Sequence, residues 1–212
     1  VVWNEIFRFD RSYWLLVALC VTFYCAIFPF RAFAVKYFVE AHHSTLEQGG
    51  FLLSMLDLAA MIATPLFGLL VERVANRSVL MMFGSGLLVP VFLILAYTGL
   101  SPFVPMSMLG VSYSLIPAVL WPSVAHVVDP KRLGTAYGLM TMIQNIGLSV
   151  FPWLIGATND AAGAGSTNPA GYHPGLWILA SLGFFGLLFA YLLRRRETGL
   201  HAHGLETIRA RV

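Results

Sequence analysis

The stretch SVLMMFGSGLLVPVFLILAYTGLSPFVPMSMLGVSYSLIPAVLWPSVAHVV, residues 78–128, contains no Asp, Glu, Lys or Arg. The hydrocarbon core of a bilayer takes about 20 apolar residues of α-helix, so this run is too long for one crossing and suits two. The break falls at TGLSP, Thr98–Pro102, where Gly and Pro interrupt the helical pattern. Two spans result, about Val79–Thr98 and Phe103–Val128. Outward from them lie four more stretches of comparable length and apolarity: about Ser12–Tyr37, Leu46–Val71, Leu133–Thr158 and Pro174–Leu193. The sequence therefore predicts an all-α membrane protein of six transmembrane helices.

Composition agrees. Hydrophobic residues fill 58% of the 212 positions and charged residues 11%, against about 25% charged in soluble domains. The net charge of +3 is too small to point to nucleic acid, and the positions of the charges say more than their sum. With the N-terminus on the cytoplasmic side, that side collects Arg8, Arg11, Arg73, Arg77, Lys131, Arg132, Arg194, Arg195, Arg196, Arg209 and Arg211, while the opposite side has only Lys36. This is the asymmetry of the positive-inside rule, and the reverse topology violates it at nearly every loop. Both termini are expected to be cytoplasmic. The chain divides into a cytoplasmic N-terminal segment 1–11, a six-helix bundle 12–195 and a cytoplasmic tail 196–212. The Arg194–Arg196 run anchors the last helix at anionic headgroups. Asn159–Gly175, rich in Gly, Ala, Asn and Pro, reads as an exposed, mobile loop on the opposite side.

Several residue types bear on chemistry. Cys20 and Cys25 fall on different helix faces, which disfavours a disulfide or a metal pair and suits two buried small hydrophobes. His42 and His43 form an exposed pair with little to recommend it as a metal site, and His126 reads as interfacial. No HExxH, facing Asp pair or Ser-His or Cys-His arrangement lies at membrane depth, so an enzyme is not expected, nor a cofactor or metal. Pro29, Pro65, Pro90, Pro117, Pro122 and Pro152 fall inside spans, where each removes a backbone donor and loosens its helix. Gly134 and Gly138 make a small-xxx-small pair suited to close helix contact. The chain begins with Val and shows no signal-peptide pattern, so a piece of a longer protein is expected.

Arg31 and Asp57 are charges within apolar spans, where they are costly and call for a cavity, a partner or the interface. Arg31 can fork onto a solute carboxylate or snorkel to headgroups. Asp57 can carry a coupling proton if desolvated, or serve as a static partner for Arg31 or for a residue on the missing half. Gln144 and Asn145, mid-span, either bond across helices or reach a ligand.

The string GLLVERVANR, Gly68–Arg77, resembles the loop motif of the major facilitator superfamily, Gly-x-x-x-Asp-Arg/Lys-x-Gly-x-Arg/Lys. Gly68, Glu72, Arg73 and Arg77 match it; Glu72 replaces the Asp and Ala75 the second Gly, as in the degenerate C-terminal copy. LGVSYSLIPAVLWPSVAHVV (Leu109–Val128), LGTAYGLMTMIQNIGLS (Leu133–Ser149), FPF (Phe28–Phe30) and PLFGLLVER (Pro65–Arg73) resemble one branch, the major facilitator superfamily domain-containing protein 1 group, whose animal members are lysosomal dipeptide transporters.

The resemblance implies two inverted three-helix repeats, forming the C-terminal half of a twelve-helix transporter that requires an N-terminal six-helix half on the same or a separate chain. It implies a peptide-like solute, a membrane-embedded site lined by Tyr24, Tyr113 and Trp121 besides Arg31, and a gate held by the loop motif. Its location would be the inner membrane of a bacterium or the lysosomal membrane of an animal cell. A non-transporting six-helix subunit is the rival; such a scaffold should neutralise or cover Arg31 and Asp57.

Overall fold

Helix ends in this chain are set by local chemistry. In a computed structural model, which describes residues 9–200 and 202–207, the Asp10 carboxylate accepts the Ser12 amide and starts α1, Arg11–His42. Thr45 and Gln48 exchange side-chain and backbone bonds in a capping box that starts α2, Leu46–Arg73. Asn76, at φ 73°, turns the chain into α3, Arg77–Tyr97. Then come α4 (Phe103–Val127), α5 (Leu133–Ala161) and α6 (His173–Glu197), with short 3-10 turns at Pro130–Arg132 and Pro169–Tyr172. Among the described residues six helices are long and apolar enough to cross a membrane. Arg8, Arg209 and Arg211 lie outside the described residues, as does the side chain of Glu72.

The packing has a two-fold pattern. The main helix pairs are α3–α6, α2–α4, α1–α6, α3–α4 and α1–α5. Exchanging α1 with α4, α2 with α5 and α3 with α6 turns this set into itself. Three crossings per repeat reverse the direction, so the repeats α1–α3 and α4–α6 are inverted. Two close approaches obey the same exchange. A Cβ on Gly110 of α4 would lie 2.8 Å from Ala59 Cβ on α2, and one on Gly147 of α5 would lie 2.5 Å from Cys25 Sγ on α1. At both positions a side chain larger than glycine's would force the facing residue to move. Gly134 and Gly138, the pair expected to make close contact, are exposed and a Cβ there meets nothing within 4 Å. They lie on a side of α5 against which no described helix packs.

Burial divides the helices. In the 18-residue apolar stretch of each span, 67% of α1 and 56% of α4 is buried, against 11% of α2 and of α5. The bundle thus keeps α1 and α4 inside and leaves α2 and α5 with open faces, where Phe51, Met61, Ile62, Leu66, Ile146 and Trp153 stand exposed.

At one end of the bundle α1 runs on past Tyr37 because Tyr37 and Phe38 are core residues. The Tyr37 hydroxyl donates to the Leu95 carbonyl at 2.5 Å and meets the His42 ring at 3.1 Å. His42 is therefore half-buried rather than exposed, and His43, at φ 52°, caps the helix. The connection after α5, expected to be a mobile loop, is pinned. Tyr172 is 2% exposed, stacks on Phe33 and donates to the Glu40 carboxylate, while the Asn168 amide donates to the carbonyls of Ala162 and Gly163.

The other end gathers the start of α1, the end of α6 and the start of α3. Arg196 forks onto Asp10, and Ser12 Oγ donates to the buried Glu197 at 2.6 Å. The tail turns back, with the His203 amide and ring on Glu197. Leu205 is fully buried, and Glu206 accepts the Ser78 amide at 3.0 Å, completing the first turn of α3. Partial burial works against the charged form of Asp10. The Arg196 fork and the amides of Ser12 and Arg11 outweigh it and hold the carboxyl at about 2.

Candidate substrate site

Tyr24, Phe28 and Arg31 follow one another at i, i+4 and i+7 along α1, and Tyr113, Pro117 and Trp121 at i, i+4 and i+8 along α4, so each set forms one stripe. The structure brings the two stripes together. Trp121 Nε1 donates to the Tyr24 hydroxyl at 2.9 Å. Tyr24 and Phe28 stack with centroids 5.6 Å apart, and Phe28 meets Tyr113 edge-on at 6.3 Å. Pro117 lacks the amide that would bond the Tyr113 carbonyl, which leaves α4 loosened beside the aromatic wall. From α5, Tyr137 packs on Trp121 at 5.8 Å and donates to its carbonyl at 2.9 Å.

At the top of this wall sits an ion pair. The two terminal nitrogens of Arg31 donate to the two Asp57 oxygens at 2.9 and 3.0 Å, a planar fork between α1 and α2. The guanidinium carbon lies 5.9 Å from the Phe28 ring centroid and 5.5 Å from that of Tyr113, within cation–π range. The Arg31 side chain is 23% exposed and that of Asp57 60%. Arg31 thus turns toward Asp57 and two rings rather than snorkelling. Asp57 stands on the face of α2 that no described helix covers. The pair is neutralised, which is one of the two arrangements expected of a scaffold, and it is not covered by the described helices.

Gln144 lies apart from this cluster: it is buried and accepts a hydrogen bond from Cys20 Sγ at 3.3 Å across α1 and α5. Asn145 is exposed and donates to Thr141 of its own helix at 2.9 Å. Both cysteines are buried and free. Of the loop motif, Gly68 has nothing within 4 Å of a Cβ built on it, so no neighbouring helix of this chain approaches there. Arg73 is exposed, Ala75 and Arg77 are buried, and the Glu72 side chain lies outside the described residues. Phe28 and Tyr137 were missed as site residues. Phe28 shares the stripe of Tyr24 and Arg31, so helical spacing alone could have found it; Tyr137 reaches the wall through Trp121, which no spacing on α5 signals.

Inverted three-helix repeats, with an ion pair and an aromatic wall on the open side, define a six-helix unit of a membrane fold built from internal repeats. Residues 15–210 match the Major Facilitator Superfamily, and the chain belongs to that family. Over 160 residues it is 39% identical to the lysosomal dipeptide transporter MFSD1 of Danio rerio and 34% identical to that of Homo sapiens, covering 76% of this chain in each case. The chain spans 35% and 34% of those relatives' lengths. Monocarboxylate transporter 1 of Homo sapiens is 26% identical over 162 residues, 72% of this chain and 31% of the relative. Among solved structures, peptide transporter POT in complex with sulfate superposes with TM-score 0.76 at 18% identity, over 95% of this chain and 40% of that one. A POT family transporter in complex with 5-aminolevulinic acid gives TM-score 0.77 at 15% identity, over 94% and 40%.

Proposed function

We propose that this chain is the C-terminal half of an alternating-access transporter for a small organic solute of dipeptide type. It is completed by an N-terminal six-helix half, on the same polypeptide or a separate one. The observation that carries this reading is the Arg31–Asp57 fork held open against Tyr24, Phe28, Tyr113 and Trp121. A dipeptide brings a terminal carboxylate and a terminal ammonium. Its carboxylate replaces Asp57 on Arg31, so the guanidinium passes from one planar partner to another and is never left bare. The released Asp57 is then free to receive the ammonium, and the rings supply apolar contact to side chains of differing size. A proton on Asp57 would loosen the fork in the same way, which keeps Asp57 as the candidate for proton coupling. The names of the relatives and the length of chain they have beyond this match support the reading, as do the open faces of α2 and α5. Arg73, with Gly68, Glu72 and Arg77, biases the exchange between inward- and outward-facing states, and the termini face the cytoplasm.

The test uses the full-length transporter and compares a dipeptide with its C-terminal amide, in the wild type and in Arg31→Ala. The amide should bind the wild type more weakly, and Arg31→Ala should erase the difference. Equal binding of both solutes by the wild type would overturn the assignment of Arg31 and favour the static, scaffold-like pair.

A further inference from the structure

At the end of the bundle that carries both described termini, α1 and α6 flank a cavity of about 640 Å³. Arg11, Trp14 and Leu15 line it from α1, and Leu192, Arg195 and Arg196 from α6. The lining is layered along the helix axes. On α1 Arg11 is followed by Trp14 and Leu15, and on α6 Arg195 is preceded by Leu192, so on both walls guanidinium gives way to apolar side chains; Leu188 and Phe185 continue the α6 stripe beyond the cavity.

The charge is not balanced among the described residues. Arg196 is answered by Asp10. Arg11 and Arg195 are exposed, and neither makes an ion pair among the described residues. Below them Leu192 is 38%, Leu188 39% and Phe185 47% exposed, an apolar trough that no described helix covers. A phosphate alone would satisfy the two guanidiniums and leave Trp14, Leu15 and Leu192 bare. A zwitterionic lipid would cover the trough and leave the excess positive charge unanswered. An anionic lipid does both. Arg grips phosphate oxygens with paired N–H groups, Trp prefers the headgroup level, and basic pockets between spanning helices select anionic headgroups.

We propose that this cavity is a binding site for an anionic glycerophospholipid. Its phosphate is held by Arg11 and Arg195 and its glycerol lies against Trp14. One acyl chain runs down Leu192, Leu188 and Phe185 of α6. Such a lipid joins the first helix of one repeat to the last helix of the other. The site depends on the membrane-spanning fold and not on the identity of the solute.

Native mass spectrometry of the full-length transporter in mild detergent, titrated with phosphatidylglycerol or phosphatidylcholine, tests this. Arg11→Gln/Arg195→Gln is compared with Arg194→Gln/Lys131→Gln, which removes the same charge outside the cavity. Arg196 is left intact because its fork with Asp10 holds the ends of α1 and α6. The wild type and the control pair should retain phosphatidylglycerol at least tenfold more tightly than phosphatidylcholine, and the cavity pair should lose that preference while unfolding at the same temperature as the control. Three results would overturn the proposal: retention of the preference by the cavity pair, its equal loss in the control pair, or full displacement of the lipid by millimolar inorganic phosphate, which would mark a site for a free anion.

Discussion

In the first repeat, α1–α3, Arg31 and Asp57 stand at membrane depth, and only residues 74–76 separate α2 from α3. In the second, the spans contain no charged residue from Phe103 to Val128 or from Leu133 to Thr158. There α4 and α5 supply Tyr113, Trp121, Tyr137 and amides, and the link from α5 to α6 runs through residues 162–172 with its own turn and buried Tyr172. Yet the helix pairs of the two repeats correspond one to one. Packing symmetry asks only that small residues recur where helices cross, as at Gly110 against Ala59 and Gly147 against Cys25. Chemistry is free to differ, and here the charge sits on one repeat while both repeats supply the aromatic surface that frames it.

That division can be broken at its strongest point first. Replacing Arg31 with Ala in the full-length transporter should weaken solute binding by about 2–5 kcal/mol, the scale for truncating one member of a close charge pair. Lys should restore only part, because a point charge cannot form the fork. Binding calorimetry checks both.

A smaller effect should follow from disturbing the shared packing. Gly110→Val drives a branched side chain into Ala59 and should destabilise by about 1–3 kcal/mol, whereas Gly138→Ala, with open space around it, should stay within about 0.5 kcal/mol of the wild type. Thermal unfolding in detergent compares them. Equal losses would show that the asymmetry of the two positions is not felt. Trp121→Phe removes the donor to Tyr24 while keeping a ring, and should cost about 0.5–1.5 kcal/mol.

The smallest effect lies at the membrane surface. Asp10 is held at about 2, below its ordinary 3.8. A carboxyl with a lowered folded value contributes stability that is fully present above its unfolded value and lost as pH falls through the folded one. The advantage of wild type over Asp10→Asn should therefore be constant above about pH 4 and shrink toward pH 2. At a third-exposed site it should stay below about 1 kcal/mol after solvent screening. Unfolding temperatures of the two proteins across that range decide it.

Much of this was legible from spacing and apolarity. The six spans, the TGLSP break and the uncommon charges at Arg31 and Asp57 follow from the cost of placing polar groups in hydrocarbon. That Arg31 and Asp57 choose one another was one of several readings, because sequence does not reveal which faces of α1 and α2 meet. Gly134 and Gly138 misled for a related reason: a small-xxx-small spacing says a helix can come close, not that one does. Gly110, which has Ser114 four residues on, and Gly147, which has no small residue at that spacing, proved to be the contacts. The docked tail left no periodic signal at all. Its hold depends on single side chains, Glu206 on Ser78 and His203 on Glu197, which have no pattern to read.

The Glu206 contact also bears on the order in which the molecule comes into being. Its carboxylate completes the first turn of α3 from 128 residues downstream. At roughly 5–20 residues per second of synthesis, Ser78 emerges from the ribosome about 6–26 seconds before its partner exists. During that interval α3 can be inserted but its first turn must find water or headgroups. α1 likewise waits for α5 and α6 before its buried face is covered. Insertion and assembly are thus separated in time by the arrangement of the chain itself. A nascent chain stalled before residue 206 should be threaded through the bilayer yet remain open to proteolysis at the loop 74–76.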